Sequence, residues 1–148
     1  MISITGVTNN YSLQPALLNK HASTLSWLST TMHWKSELAF FQKALDKMRQ
    51  STPSAEVNRE GEYYQNQIAF FTLEAIEELR KKLRNHENRL AKMLESKSEW
   101  DTQYYNEHDA LMNAAVGLQE NINSLTSSLR LWTTEHMRQG KIDITNLH

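Results

Sequence analysis

Residues Ile76 to Trp132 read IEELRKKLRNHENRLAKMLESKSEWDTQYYNEHDALMNAAVGLQENINSLTSSLRLW, and their period decides the fold. Every seventh position is Ile76, Leu83, Leu90, Lys97, Tyr104, Leu111, Leu118, Leu125 and Trp132, a column broken only at Lys97. At 3.6 residues per turn, a seven-residue apolar repeat keeps one stripe of a long helix facing a partner helix. The column has a companion that changes side. Before Lys97 it lies three residues further on, at Leu79, His86 and Met93; after Tyr104 it lies four further on, at His108, Ala115, Ile122, Leu129 and His136. A single uninterrupted coiled-coil helix has no reason to turn its seam, so the change predicts a chain reversal near Lys97. Ser98-Glu99-Trp100-Asp101 offers a capping box there, with a third helix from about Glu99 to Gln139 and Gly140 closing it. The competing reading joins the second and third helices into one rod from about Gly61, ~120 Å long at 1.5 Å per residue.

Upstream, Trp27, Trp34, Phe41 and Met48 also stand seven apart, with Leu38 and Leu45 in the alternate seam positions. A second column, Leu18, Leu25, Met32 and Ala39, lies beside the first. Two adjacent columns are expected to touch two neighbours, which requires at least three helices. This first helix is predicted from Ser12–Pro15 to about Gln50, stopped by Ser51-Thr52-Pro53-Ser54. Thr52-Pro53 reads as the next cap and first position, giving a second helix from Pro53, or from Gly61, to about Glu95. The expected fold is therefore all-α, a long antiparallel up-down-up three-helix bundle over residues 15–139 that associates into a larger bundle. Its helices are about 36 to 41 residues and ~54 to 60 Å long. Folding about these turns sets Phe40-Phe41 level with Phe70-Phe71. Residues 1–14 form an arm and residues 140–148 a tail; Met1–Thr5 and Lys141–Thr145 alternate like short strands.

The composition narrows function by exclusion. The 148 residues carry a net charge of −1, so no long-range field draws the molecule to nucleic acid or an anionic membrane. There is no cysteine, which removes disulfides, thiolate zinc sites and cysteine nucleophiles. No run approaches the ~20 apolar residues of a membrane span, and no secretory leader is evident, so a cytoplasmic location is the expectation. Isolated glycines at 61, 117 and 140 make no phosphate loop, and no serine sits in a strand-turn-helix elbow, so no enzyme is indicated.

Three constellations bear chemistry. His86 and His108 are each eleven residues from Lys97, so a hairpin sets them side by side, with His21 of the first helix near the same level. Three imidazoles, with Glu87, Glu107 or Asp109, could hold a transition metal; the plainer expectation is a polar layer that fixes register, with no metal or cofactor. His33 and Glu37 show the His-x3-Glu spacing found in carboxylate-bridged iron proteins, with Glu77, Glu78 and Glu120 at a similar height. No Glu-x-x-His motif accompanies them, and solvated helix surface is the expectation. The basic run Arg80-Lys81-Lys82-Leu83-Arg84, continuing to Arg89 and Lys92, could meet phosphates. Glu77 and Glu78 stand four before Lys81 and Lys82, however, and favour a self-neutralised face. The doublets Phe40-Phe41, Phe70-Phe71, Tyr63-Tyr64 and Tyr104-Tyr105 each point two rings about 100° apart, so one of each pair faces outward unless the core is wide. The functional expectation is a non-enzymatic protein-protein interaction or scaffolding module that forms homo-oligomers. A metal-binding bundle with a sensory or redox role is the alternative.

Overall fold

Prolines bracket the first helix. The computed structural model describes residues 15–96 and 101–140, and α1 spans Pro15–Ser51. Its first residue is a proline, whose missing N–H costs nothing in a first turn, and it ends before Pro53 could break its ladder. The following cap is Ser54 rather than the expected Thr52: its backbone is extended and its Oγ accepts from Val57 N at 3.0 Å. Helix α2 then runs Ala55–Phe70, a π-turn covers Phe71–Ala75, and α3 runs Ile76–Glu95 without a break. The last helix, α4, spans Thr102–Gly140. Asp101 caps it, taking the Gln103 N–H at 3.0 Å and the Tyr104 N–H at 3.4 Å, so α4 starts three residues later than the capping-box reading placed it. Ser98 and Glu99, the arm at 1–14 and the tail at 141–148 lie outside the described residues.

All regular structure among the described residues is helical, in three antiparallel rods; the second is α2 and α3 joined through the π-turn. The reversal after α3 is real, so the single-rod alternative does not hold. The chain divides into two compact units, each taking a stretch of every rod. The first combines the chain up to Thr31 with Glu77–Gly117; the second combines Met32–Ile76 with the chain from Leu118 onward.

In the first unit, α3 and α4 run antiparallel: His86 meets His108, and three residues later Arg89 lies 4.0 Å from Asp101. Helix α1 opposes α3 in the same sense, through His21 with Glu87 and Thr31 with Arg80. Leu17, Leu90, Ala91, Met93, Leu94 and Tyr104 form its apolar core beside the chain reversal. In the second unit, Glu60 approaches His136 and Tyr64 packs on Trp132, so α2 and α4 are antiparallel there too. Arg49 of α1 reaches Gln65 of α2 at 2.6 Å, and its stem passes over Gly61. A Cβ on that glycine would stand 2.8 Å from Arg49 Cδ, so Gly61 sits inside α2 to let the arginine cross rather than to break the helix.

The face that α1 buries differs from the expected one. Leu18, Leu25, Met32 and Ala39 are exposed; the inward column is one residue earlier, at Leu17, Thr24, Thr31, Leu38 and Leu45. Trp34, Phe41 and Met48 accompany it, as the first seven-residue column required. Thr24 and Thr31 occupy seam positions because each hydroxyl bonds a carbonyl of its own helix, Lys20 O at 2.9 Å and Leu28 O at 2.6 Å. That local bond removes the penalty of a buried hydroxyl. Thr126 and Thr133 repeat the device on α4.

The π-turn repairs a register fault. Along α2 and α3, inward positions step by three or four residues except between buried Phe71 and buried Ile76, which are five apart. The Ile76 N–H bonds Phe71 O, an i to i−5 bond that loops out one residue and returns the following seam to the core. Leu73, inside this turn, is 71% exposed.

Candidate functional site

The first unit contains a buried polar layer built from all three rods. His86 and Glu87 come from α3, Tyr104, Glu107 and His108 from the first turns of α4, and His21 from α1. Successive residues on a helix point about 100° apart, so His86 faces α4 while Glu87 faces α1. His86 Nδ1 lies 2.6 Å from Glu107 Oε1, and its Nε2 lies 3.0 Å from His108 Nδ1. A carboxylate only accepts, so Nδ1–H of His86 donates to Glu107 and Nε2 accepts from Nδ1–H of His108. Tyr104 lies flat on His86, with centroids 4.2 Å apart and planes 1° from parallel. Beside this chain, His21 Nδ1 pairs with Glu87 Oε2 at 2.8 Å.

Burial governs the electrostatics. It pushes the His86 imidazole below its ordinary value of 6.5 against the opposing pull of Glu107. His108 is pushed down to about 4, first by burial and then by the neighbouring His86. Both rings are therefore neutral at pH 7. Glu87 is raised by burial, with His21 pulling the other way. The Tyr104 phenol is raised by burial and then by the charges of Glu87, Tyr105 and Glu107. Among the described residues, Tyr104 Oη and Glu87 Oε1 have no hydrogen-bond partner. At its outer end, Glu107 is partly exposed, holds Arg89 Nε at 3.5 Å, and borders an open groove with Lys82, Asn85 and Leu111.

The expected pairing of His86 with His108 is thus present, while His21, at the expected level, meets Glu87 instead. Asp109 is exposed. Among the described residues, no three His, Asp or Glu side chains converge to hold a metal ion. His33, Glu78 and Glu120 are exposed, with Glu37 and Glu77 half-buried. Tyr104 is the member that its heptad position conceals; its only sequence signal is the histidine four residues on, in a column that continues through Ala115, Ile122 and Leu129.

The basic run does not present one cationic stripe. Arg80 turns inward, donating from Nη1 to Thr31 Oγ1 at 2.7 Å and to Leu28 O at 3.3 Å, while Lys82 pairs with Glu78 at 3.2 Å. The aromatic doublets divide as the 100° rule requires. Phe41, Phe71 and Tyr104 are buried, Phe40, Tyr64 and Tyr105 half-buried, and Phe70 and Tyr63 exposed. Ala39 and Gln42 share a groove with Ile68, Ala69 and Thr72, so the two phenylalanine doublets do lie at matching levels. No helix among the described residues is long and apolar enough to cross a membrane. Compared with known proteins, the chain matches no family model, no curated protein and no solved structure.

Proposed function

We propose that this chain is a non-enzymatic helical interaction module whose first partner is a second copy of itself. The observation that carries this reading is the outward column of α1. Leu18, Leu25 and Met32 repeat every seven residues and are each about half exposed, at 52%, 43% and 50%. Scattered exposed leucines need no explanation, but a column with the same period as the chain's own seams is the pattern a further helix packs against. The same column on a second copy has that period and can meet it about a two-fold axis, which joins like surfaces. Such association fits the expectation of a homo-oligomer, and a scaffold that gathers other proteins is its simplest use.

Light scattering across a concentration series tests it on the native chain and on Leu18→Gln/Leu25→Gln. A dimer or larger assembly that becomes monomeric in the variant, with unchanged helicity, supports the reading. A native chain that stays monomeric at all concentrations removes it. Phe70→Ser serves as the comparison: dissociation by that change instead would move the interface from α1 to the exposed aromatics of α2.

A further inference from the structure

Every buried ionisable side chain among the described residues lies in the first unit: His86, Glu87, Tyr104 and His108. The second unit keeps its described histidines where a proton costs little. His33 is exposed there, and His136 Nε2 stands 3.7 Å from Glu60 Oε1, so an added charge on either ring meets water or a carboxylate. The two units therefore meet acid with opposite chemistry.

In the first unit, the chain from Glu107 through His86 to His108 has room for one extra proton and not for two. A first proton makes one ring an imidazolium that still donates to its neighbour, balanced by the Glu107 carboxylate at the end of the chain. A second proton leaves both rings as donors only. Nε2–H of His86 and Nδ1–H of His108 would then face each other, with like charges, at atoms now 3.0 Å apart. The surroundings do not absorb that charge. From α1, Lys20 opposes it, and His21 already pairs with Glu87 at 2.8 Å. From α3, Arg89 lies 3.5 Å from Glu107 and draws on the same carboxylate. On α4, Asp109 is exposed, and the Tyr104 phenol stacked on His86 stays neutral. Burial works in the same direction, holding His108 down at about 4.

We propose that His86 and His108 form an acid-sensitive latch: when both rings are charged, the first turns of α4 separate from α3 and expose Leu90, Tyr104 and Leu111, while the second unit stays packed. Tyr104 belongs to the apolar core beside the chain reversal, so its departure from His86 opens that core as well. Opening of one cooperative unit ahead of the rest follows from stability that is unevenly distributed along a chain.

An acid titration of the full chain, followed amide by amide by NMR from pH 7 to pH 3, tests the latch. Native signals of α3 and the first turns of α4 should be lost at a midpoint about one pH unit above that of α2 and of α4 beyond Leu118. Each ring that is neutral when closed and charged when open contributes up to about tenfold per pH unit, so the opening constant should steepen toward 100-fold per unit. His108→Asn offers His86 an amide N–H in place of Nδ1–H but takes no proton. It should lower the first-unit midpoint and reduce the steepness to about tenfold per unit. His86→Leu/His108→Leu, which keeps the seam apolar, should bring the two midpoints together and covers the case in which the asparagine variant does not fold. Simultaneous loss of both units in the native chain overturns the proposal. So does earlier loss of the second unit, or a first-unit transition whose midpoint and steepness are unchanged in the variants.

Discussion

His86 and His108 hydrogen-bond directly to each other, Nε2 to Nδ1 at 3.0 Å, with both rings almost wholly withdrawn from solvent. Their folded-state values lie below the ordinary 6.5, so between that pH and about 4 the unfolded chain binds more protons than the folded one. Stability therefore falls as pH falls through this window and is insensitive to these rings above it. Glu87, raised above its ordinary 4.5, acts in the opposite direction, because the folded chain there holds the extra proton. The histidines should dominate, lowering the melting temperature by roughly 5 to 10 °C between pH 7 and pH 4.5. Thermal melts followed by circular dichroism check this. His86→Leu/His108→Leu should flatten the curve, and an equally steep decline in that variant would move the effect elsewhere.

Tyr104→Phe should stabilise the chain or leave it unchanged, within about 1 kcal/mol. The ring is fully buried and stacks on His86, but its hydroxyl has no hydrogen-bond partner among the described residues, so the substitution keeps the packing and removes a desolvated dipole. Urea denaturation at pH 7 measures it. A loss above about 2 kcal/mol would show that the hydroxyl has a partner in solution.

The two mid-helix glycines should respond differently to alanine. Gly117 has no atom within 4 Å of an added Cβ, so Gly117→Ala should gain about 1 kcal/mol from helix propensity alone. Gly61→Ala should gain little or nothing, because the new methyl displaces the Arg49 stem and disturbs its bond to Gln65. In an Arg49→Ala background the same change should recover most of the gain. A double-mutant cycle with no coupling would count against this account.

Deleting Leu73 should preserve the fold. It would shorten the five-residue step between Phe71 and Ile76 to four, turning an i to i−5 bond into an ordinary i to i−4 bond. The removed side chain is among the most exposed of the apolar residues. Deleting one residue within α3, between Leu83 and Leu90, should instead turn one side of that seam out of the core and abolish cooperative unfolding. Equal tolerance of both deletions would contradict the register argument.

Heptad columns carried most of the architecture: Ile76, Leu83 and Leu90 before the reversal, and Leu111 and Leu125 after it, are all buried. The reversal and the His86–His108 pairing followed from the shift in the companion column, because a seam that changes sides must change partners. The inward face of α1 was illegible for a physical reason. Thr24 and Thr31 bury hydroxyls bonded to their own helix, while Leu18 and Leu25 are left outside, so counting apolar residues selected the neighbouring column. Caps at Ser54 and Asp101 competed with equally plausible neighbours, Thr52 and Ser98. The π-turn was hidden because its outward residue, Leu73, is itself apolar, so residue type gave no sign of which position is looped out. Orphan groups such as Glu87 Oε1 depend on helix crossings that no local spacing reports.

The layer around His86 also bears on how the α3–α4 hairpin selects its partner alignment. To apolar columns, sliding one helix by seven residues is almost invisible, since leucines would again face leucines. Such a slide on α4 would set His86 opposite Ala115 and strand two imidazoles in a dry interior, together with the Glu107 bond. Among alignments that hydrophobic contact alone ranks nearly equal, the paired histidines act as a key that admits one. Their energetic weight then lies less in strengthening the correct hairpin than in raising every misaligned one above it.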